Sequence, residues 1–477
     1  MIELDDELPI VEELHPAPDT EAALLALSQH SHCLFLDSAL RDNQLGRYSF
    51  LTADPYAFLS VAADGSDGLA ALEKQLLLGG PSRQDLPPFQ GGAAGLFSYD
   101  LGRSLERIAA PQFDEFKVPA MAAGLYDTVV SFDHQQGRAW IVSQGFPERD
   151  PQARRERAYA RVHRFRTWLT TPPANQFTWP ASAQQDAITL VSRDELTRQY
   201  PVGDMNGLTS NFSADHYRRM IRRGIDYIEA GDVFQVNLAQ RLLHPACDDP
   251  IALYRRLRRR NPATFAGYFD LGELQIVSAS PERLVQCKAG RVEARPIKGT
   301  RQRIASPEAD LFAADELRRS EKDRAENVMI VDLLRNDLAR VCTPDSVQVT
   351  QLCGLESFAF VQHLVSVVRG RLADDRDALD LIRATFPGGS ITGAPKVRAM
   401  EIIAELENTA RGPYCGSLGY IGFDGTLDLS ILIRTITAGR GWWQLPVGGG
   451  IVAQSEPQLE YEETWHKARG LLRSLAD

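Results

Sequence analysis

Residues 267–301 read GYFDLGELQIVSASPERLVQCKAGRVEARPIKGTR. Two pairs of β-rich runs lie in this stretch, each pair split by a short glycine-containing turn, as in hairpins. The segment SLGYIGFDGTLDLSILIRTITAGRGWWQLPVGGGIVA, 417–453, reads the same way, as a meander that turns at Asp424-Gly425. Hairpins mean antiparallel sheet. The expected fold is therefore α+β, with antiparallel sheets packed face to face and helices outside them.

The composition is that of a soluble globular protein. It has 477 residues, 44% apolar and 24% charged, enough to bury a large core. A net charge of −11 argues against nucleic acid as a partner. The basic run YRRLRRR, 254–260, reads as a helix end near its own C-terminal dipole. Six scattered cysteines, with no C-x-x-C pair, are expected as reduced thiols of a cytoplasmic protein. The acidic start MIELDDELPIVEELHP lacks a signal-peptide pattern. No apolar stretch reaches the roughly 18 residues of a membrane helix.

The Pro/Gln/Ser/Thr-rich stretch TTPPANQFTWPASAQQDA, 170–187, reads as a linker or long loop. It divides the chain into an N-terminal subdomain (1–170), a linker region (171–210) and a catalytic domain (211–477). Helical patterns include PQARRERAYARVHRFRTWLTT and SADHYRRMIRRGIDYIEAG. In the second, Ser213 is placed to cap the start and Gly231 the end. No fixed-period repeat suggests a solenoid or propeller.

Four clusters stand out for chemistry. Glu282, in SASPERL, lies on the hairpin arm that leads to Lys298 in PIKGT; the pair is either a plain ion pair or a reactive one. Asp323 and Glu326, in SEKDRAENVMIVDLLRND, share a helical face. Glu460 and Glu463, in QLEYEETWHKARGLL, repeat that device. If the two helices converge they supply an oxygen-rich Mg²⁺ site; if not, the carboxylates decorate solvated faces. The glycine-rich stretch FPGGSITGAPKVRAMEIIAELE, 386–407, precedes an amphipathic helix, with Ser390 or Thr392 as its cap and Pro395 in its first turn. Such a start binds carboxylate or phosphate, and VGGGIVAQ, 447–454, offers a second close approach to backbone. Neither matches a nucleotide-binding loop.

Together these clusters resemble the chorismate-utilising enzymes, the family of the anthranilate, aminodeoxychorismate, isochorismate and salicylate synthases. The matching stretches are GDVFQVNLAQR (231–241), SASPERL, PIKGTR, KDRAENVMIVDLLRND, FVQHLVSVVRG (360–370), FPGGSITGAPK, GYIGFDG, ILIRT (431–435), VGGGIVA and EYEETWHKA. They cover 211–477 densely. The N-terminal part is similar more loosely, through LDSA, GRYSFLTADP and GGAAGLFSYDLGRSLE.

The resemblance implies residue roles. In the isochorismate and salicylate branch a lysine in the GDVFQV segment activates water; here that position is Gln235, and an amide is no base. At the PIKGT position anthranilate synthases usually carry alanine. Lysine there is similar to the aminodeoxychorismate branch, where it is a covalent nucleophile. Implied catalytic residues are thus Lys298, which must attack as the neutral amine, Glu282, a general acid that must be protonated, and His363, which without the resemblance reads as a core histidine. Implied substrate-binding residues are Gln235, Thr300, Gly389, Ser390, Thr392, Gly393, Tyr420, Arg434, Gly449, Gly450 and Lys467. Implied Mg²⁺ ligands are Glu326 and Glu463, with Asp323 and Glu460 through water.

Chorismate is the implied substrate and 4-amino-4-deoxychorismate the implied product. No cysteine sits in the G-x-C-x-G turn of a glutaminase, so a separate glutaminase subunit is the implied ammonia source. LFLDSA (34–39) and NPATFAGY (261–268) resemble a tryptophan site, through Asp37, Ser38, Asn261 and Pro262, or are ordinary core segments. Asp37 departs from the family's glutamate. Two other readings stay open: an anthranilate synthase, and a silent chorismate-binding subunit.

Overall fold

In the computed structural model, residues 8–41, 45–76, 78–171, 190–303, 306–357 and 361–475 are described, leaving aside the side chains of Thr300 and Gln302. Two large antiparallel sheets form the body. One is 13-stranded and runs from Ile10–Glu13 at one edge, through Leu34–Asp37, Phe265–Asp270, Leu274–Ser280 and Thr435–Gly439, to Trp442–Ile451 and Gln235–Pro245. The other is 10-stranded. It runs from Ile297–Gln302 and Val361–Arg371, through Arg283–Lys288, Leu427–Ser430 and Ser417–Gly422, to Ala57–Val61 at the far edge.

The hairpins form where their turn residues predict. Phe265–Asp270 pairs with Leu274–Ser280 from Phe265↔Ser280 to Asp270↔Gln275. Cys287 faces Val292 across the turn at Ala289-Gly290, both with positive φ. Gly425, φ 80°, turns the chain between Ser417–Gly422 and Leu427–Ser430.

The sheets pack face to face over a shared core. Leu34, Phe50, Phe269 and Ile276 of the larger sheet meet Ala94, Leu96, Leu418 and Tyr420 of the smaller. Helices cover the outer faces. Thr20–Leu27, Pro151–Thr170, Pro250–Arg260 and Pro457–Leu475 lie over the larger sheet, burying Leu24, Phe165, Leu257 and Leu471 against Phe35, Leu51, Val277 and Trp443. Glu321–Ala339 covers the smaller one with Ala378–Thr385 packed against it, while Lys396–Leu406 lies against Gln235–Pro245 of the larger sheet. Full burial of each such side chain contributes about 1.5–3 kcal/mol, which is why the amphipathic stripes in the sequence locate the helices.

The boundary expected at 171–210 does not separate the sheets. Leu34–Asp37 pairs with Phe265–Asp270, and Gly92–Phe97 with Ser417–Gly422, so both halves of the chain build both sheets. Of the linker itself, 172–189 lie outside the described residues, while Thr209–Ser210 and Tyr200–Pro201 are the last two strands at one end of the larger sheet.

Helix Ala214–Glu229 starts and stops as its sequence indicates: Ser213 Oγ accepts the His216 N–H, and Gly231 has φ 84°. The glycine-rich stretch differs. Pro395 is the N-cap of Lys396–Leu406, outside the helix, and makes no side-chain cap bond. Ser390 and Thr392 lie too far upstream to reach that helix; they belong to a separate turn at Gly389–Ile391, where Thr392 Oγ1 donates to the Gly388 carbonyl at 2.9 Å. The basic run ends Pro250–Arg260 as expected, but it also ties the fold. Arg258 Nε reaches Asp37 Oδ2 at 2.6 Å, and Arg255 and Arg259 both reach Glu21.

Candidate active site

A cavity of about 790 Å³ opens where the two sheets meet helices Glu321–Ala339 and Pro457–Leu475. Its wall carries Glu282, Lys298, His363, Ser390, Arg434, Gly448 and Gly450. The two helices contribute Lys322, Asp323 and Glu326 on one side and Glu463 and Lys467 on the other.

Lys298 is aimed by a bulge. In the pairing of Ile297–Gln302 with Val361–Arg371, Lys298 faces Leu364 and Thr300 faces His363, so Gly299 is an extra residue. Gly299 has φ 69°, and a Cβ there would lie 2.6 Å from Leu317 Cδ1 and 2.9 Å from Asp323 Cγ. Only glycine fits, which gives the Lys-Gly order of PIKGT its structural meaning. Lys298 Nζ stands 3.6 Å from Glu326 Oε2.

Glu282 follows Pro281 at the end of the Leu274–Ser280 strand and is 6% exposed. Burial pushes its carboxyl up to about 7, against the opposing pull of Lys298, a Ser390 hydrogen bond and the Ile297 backbone. Its Oε1 is buried without a hydrogen-bond partner among the described residues. A carboxyl so placed is still about half protonated at neutral pH, so a protonated fraction is there to act as a general acid.

His363 is 8% exposed and its imidazole is pushed down to about 4, chiefly by burial; a hydrogen bond to the Gly299 backbone opposes this and Arg434 adds to it. It is therefore neutral in the cavity. Arg434 has φ 52° and lies between two strands. Burial lowers its pKa, and no carboxylate among the described residues is ion-paired to its guanidinium. A half-buried guanidinium with no carboxylate partner calls for an anion, and a bidentate carboxylate suits it.

Asp323, Glu326 and Glu463 line the cavity and Glu460 is buried beside it, and each carboxylate has a basic partner. Glu326 has Lys298, Glu463 has Lys467 at 2.7 Å, Glu460 has Lys322 at 3.7 Å and Asp323 has Arg301 at 3.9 Å. Burial raises Glu463, but Lys467 offsets this and holds its carboxyl below the ordinary range. Burial keeps Glu460 above its ordinary range although it accepts a 2.6 Å bond from Ser455 Oγ. Among the described residues no three His, Cys, Asp or Glu side chains gather into a preformed metal cage. A Cβ placed on Gly449 would lie 3.3 Å from Glu460 Oε2, 3.5 Å from Lys467 Nζ and 3.9 Å from Glu463 Oε1, so the glycine run lies directly under these groups. Lys467 also donates to the Gly448 carbonyl at 2.8 Å.

Several residues assigned from the sequence lie behind the wall rather than on it. Gly389 is packed on Leu333, and Thr392 is fully buried. Gly393, φ 138°, is pressed against the Gln235 backbone carbonyl, where a Cβ would collide. Gln235 itself is fully buried beside Gly450, with both amide atoms unpartnered among the described residues. The Thr300 side chain lies outside the described residues. Tyr420 is not at this cavity. It stacks on Phe89 at 4.4 Å in the inter-sheet core and borders a second cavity of about 610 Å³.

The four residues of the presumed tryptophan segments are split. Asp37 and Ser38 border the second cavity; Asn261 and Pro262 border the first. The Asp37 carboxylate is taken up by Tyr254 Oη at 2.9 Å, Arg258 Nε at 2.6 Å and Ser49 Oγ at 3.1 Å.

Sequence reasoning missed Tyr414, Lys322 and Asn237, which line the first cavity. Tyr414 sits six residues before Tyr420 in a loop, with no periodicity to reveal it. Lys322 stands in the quoted KDRAEN motif, where its neighbours' carboxylates drew attention away from it.

A family model described as chorismate binding enzyme matches residues 39–473. The chain belongs to the chorismate binding enzyme family. Among its relatives is an aminodeoxychorismate synthase component 1 of Klebsiella aerogenes, 40% identical over 467 residues, 94% of this chain and 95% of that one. An anthranilate synthase component 1 of Thermus thermophilus is also 40% identical, over 86% of this chain and 82% of that one. The crystal structure of anthranilate synthase component I from Streptococcus pneumoniae superposes with a TM-score of 0.74 at 32% identity, covering 91% of this chain and 93% of that one. No described helix is long and apolar enough to cross a membrane.

Proposed function

We propose that this enzyme aminates chorismate at C4 to give 4-amino-4-deoxychorismate, with ammonia delivered by a separate glutaminase subunit. The observation that carries this reading is Lys298 on the wall of the same buried pocket as Glu282, a carboxyl about half protonated near neutrality. Hydroxide is a poor leaving group, so a proton must reach the C4 oxygen as it departs. Glu282 supplies it. Lys298 Nζ attacks C2, both ring double bonds shift along the ring towards C4, and the C4 hydroxyl leaves as water. Ammonia then adds at C4 and expels the lysine amine from C2, and the surplus proton returns to the Glu282 carboxylate. The net change is chorismate plus ammonia to aminodeoxychorismate plus water.

Arg434, Lys467 and the Gly448–Gly450 backbone would hold the substrate carboxylates. Neutral His363 offers a hydrogen bond without adding charge. The oxygen-only donor set of Glu326 and Glu463, with Asp323 and Glu460 behind them, suits a hard dication such as Mg²⁺. When bound there it would supply Lewis-acid stabilisation of charge on the ring carboxylate.

Equal identity to an anthranilate synthase keeps that alternative in view. Lys298 is the residue against it, since direct attack of ammonia at C2 needs no lysine nucleophile. The test is intact-protein mass spectrometry of enzyme mixed with chorismate and Mg²⁺ without ammonia. A chorismate-derived adduct on Lys298, lost in Lys298→Ala, is expected. An unmodified protein that still consumes chorismate when ammonium is added would overturn the covalent step.

A further inference from the structure

Behind the substrate wall lies a buried ion pair with no assigned role. Arg411, 6% exposed, clamps Glu407 through two bonds, Nε to Oε2 at 2.8 Å and Nη2 to Oε1 at 2.7 Å. Neither residue borders the first cavity. Both act on backbone that does. Arg411 Nη2 donates to the Asn237 carbonyl at 2.8 Å and Nη1 to the Ile391 carbonyl at 3.2 Å. Glu407 Oε1 also accepts the Ala239 N–H at 2.8 Å. Asn237 and Ile391 both border the first cavity.

These bonds fill a gap in the larger sheet. One side of strand Gln235–Pro245 pairs with Trp442–Ile451 along its whole length, Asn237 opposite Gly450 and Ala239 opposite Gly448. On the other side, Gly393–Ala394 pairs only with Gln235 and Val236, and Thr209–Ser210 only with Leu242 and Leu243. Between them the backbone has no strand partner among the described residues. The Asn237 N–H goes to the Thr392 carbonyl at 2.8 Å; the Asn237 carbonyl and the Ala239 N–H go to Arg411 and Glu407. Unmet backbone groups at a buried edge are costly, and here two charged side chains replace a strand.

We propose that the Glu407–Arg411 pair is a positioning device for the substrate wall: it fixes the 237–239 edge and the Gly389–Ile391 turn, and through the strand pairing it fixes the Gly448–Gly450 run that faces the substrate carboxylate. The substrate part of this inference rests on the chorismate reading above; the ordering of the wall does not. A device that holds the wall contributes equally to substrate and transition-state binding, so its loss raises KM more than it lowers kcat.

The experiment uses the full chain with ammonium and Mg²⁺, in Arg411→Lys and Glu407→Gln. Arg411→Lys keeps the charge and loses the fork. Glu407→Gln keeps an acceptor for Ala239 and loses the charge, and it serves if Arg411→Lys fails to fold. The KM for chorismate is expected to rise about tenfold or more in Arg411→Lys and less in Glu407→Gln, with kcat within about threefold of wild type. Hydrogen exchange without substrate is expected to speed up in 237–239, 389–392 and 448–450 in the same order. Unchanged exchange in these segments overturns the proposal, as does a KM within twofold of wild type accompanied only by lower thermal stability. If the unmutated enzyme does not turn over chorismate, the functional reading fails and exchange alone decides the positioning role.

Discussion

Replacing Glu282 by glutamine separates the acid from the pocket it fills. The ordinary carboxyl value is 4.5, and burial raises Glu282 to about 7. The change of about 2.5, at about 1.4 kcal/mol for each pH unit, corresponds to about 3 kcal/mol. The sign follows from which form folding disfavours. The folded state prefers the protonated acid, so the associated stability is fully present below about 4.5 and is lost as pH rises through about 7. Glutamine carries no such penalty. Glu282→Gln is therefore expected to be more stable than wild type by up to about 3 kcal/mol at pH 8, with the difference shrinking towards pH 5. Denaturant unfolding at both pH values measures it. Activity moves oppositely: loss of a general acid lowers kcat by about 10²–10⁴, and the alkaline limb of the wild-type profile near pH 7 disappears. A stability difference independent of pH, or a residual activity that keeps the same alkaline limb, would refute the assignment.

The remaining expectations concern the pocket's charges. Arg434→Ala removes an unpaired cation and is expected to raise the chorismate KM by about 10- to 100-fold, the equivalent of about 1.5–3 kcal/mol for a charged hydrogen bond, in steady-state kinetics. The His363 imidazole, pushed down from 6.5 to about 4, disfavours the protonated folded state. Wild type should lose up to about 3 kcal/mol as pH falls from 6.5 to 4, a loss absent in His363→Asn when unfolding is followed by circular dichroism. Glu326→Gln combined with Glu463→Gln should abolish Mg²⁺ binding in calorimetry and with it the metal dependence of turnover.

The hairpins were legible in the sequence because their turns are local: Gly272, Gly290 and Gly425 sit where the chain must reverse. The two acidic helices and Lys298 were legible as candidates, and the fold brings them to one cavity. What the sequence hid is what depends on distant partners. Asp323, Glu326 and Glu460 each meet a basic group brought by another element, whereas Glu463 pairs with Lys467 one turn along its own helix. Tyr420 was placed at the substrate because it lies in a motif, yet its strand turns it into the core beside Phe89. Its neighbour Tyr414, in an unpatterned loop, reaches the cavity instead. The cap assigned to Ser390 or Thr392 failed because the glycine stretch makes a separate turn before the helix begins. Nothing in the sequence pattern marks Glu407 and Arg411, which stand out only as substitutes for a missing strand.

The central claim is that Lys298 and Glu282 direct nitrogen to C4 of chorismate and leave the enolpyruvyl group attached. Incubating the chain with chorismate, Mg²⁺ and ammonium, with no lyase present, and identifying the product by mass and pyruvate assay tests this most directly. The account predicts 4-amino-4-deoxychorismate and no pyruvate. Fluorescent anthranilate with one equivalent of pyruvate would contradict it.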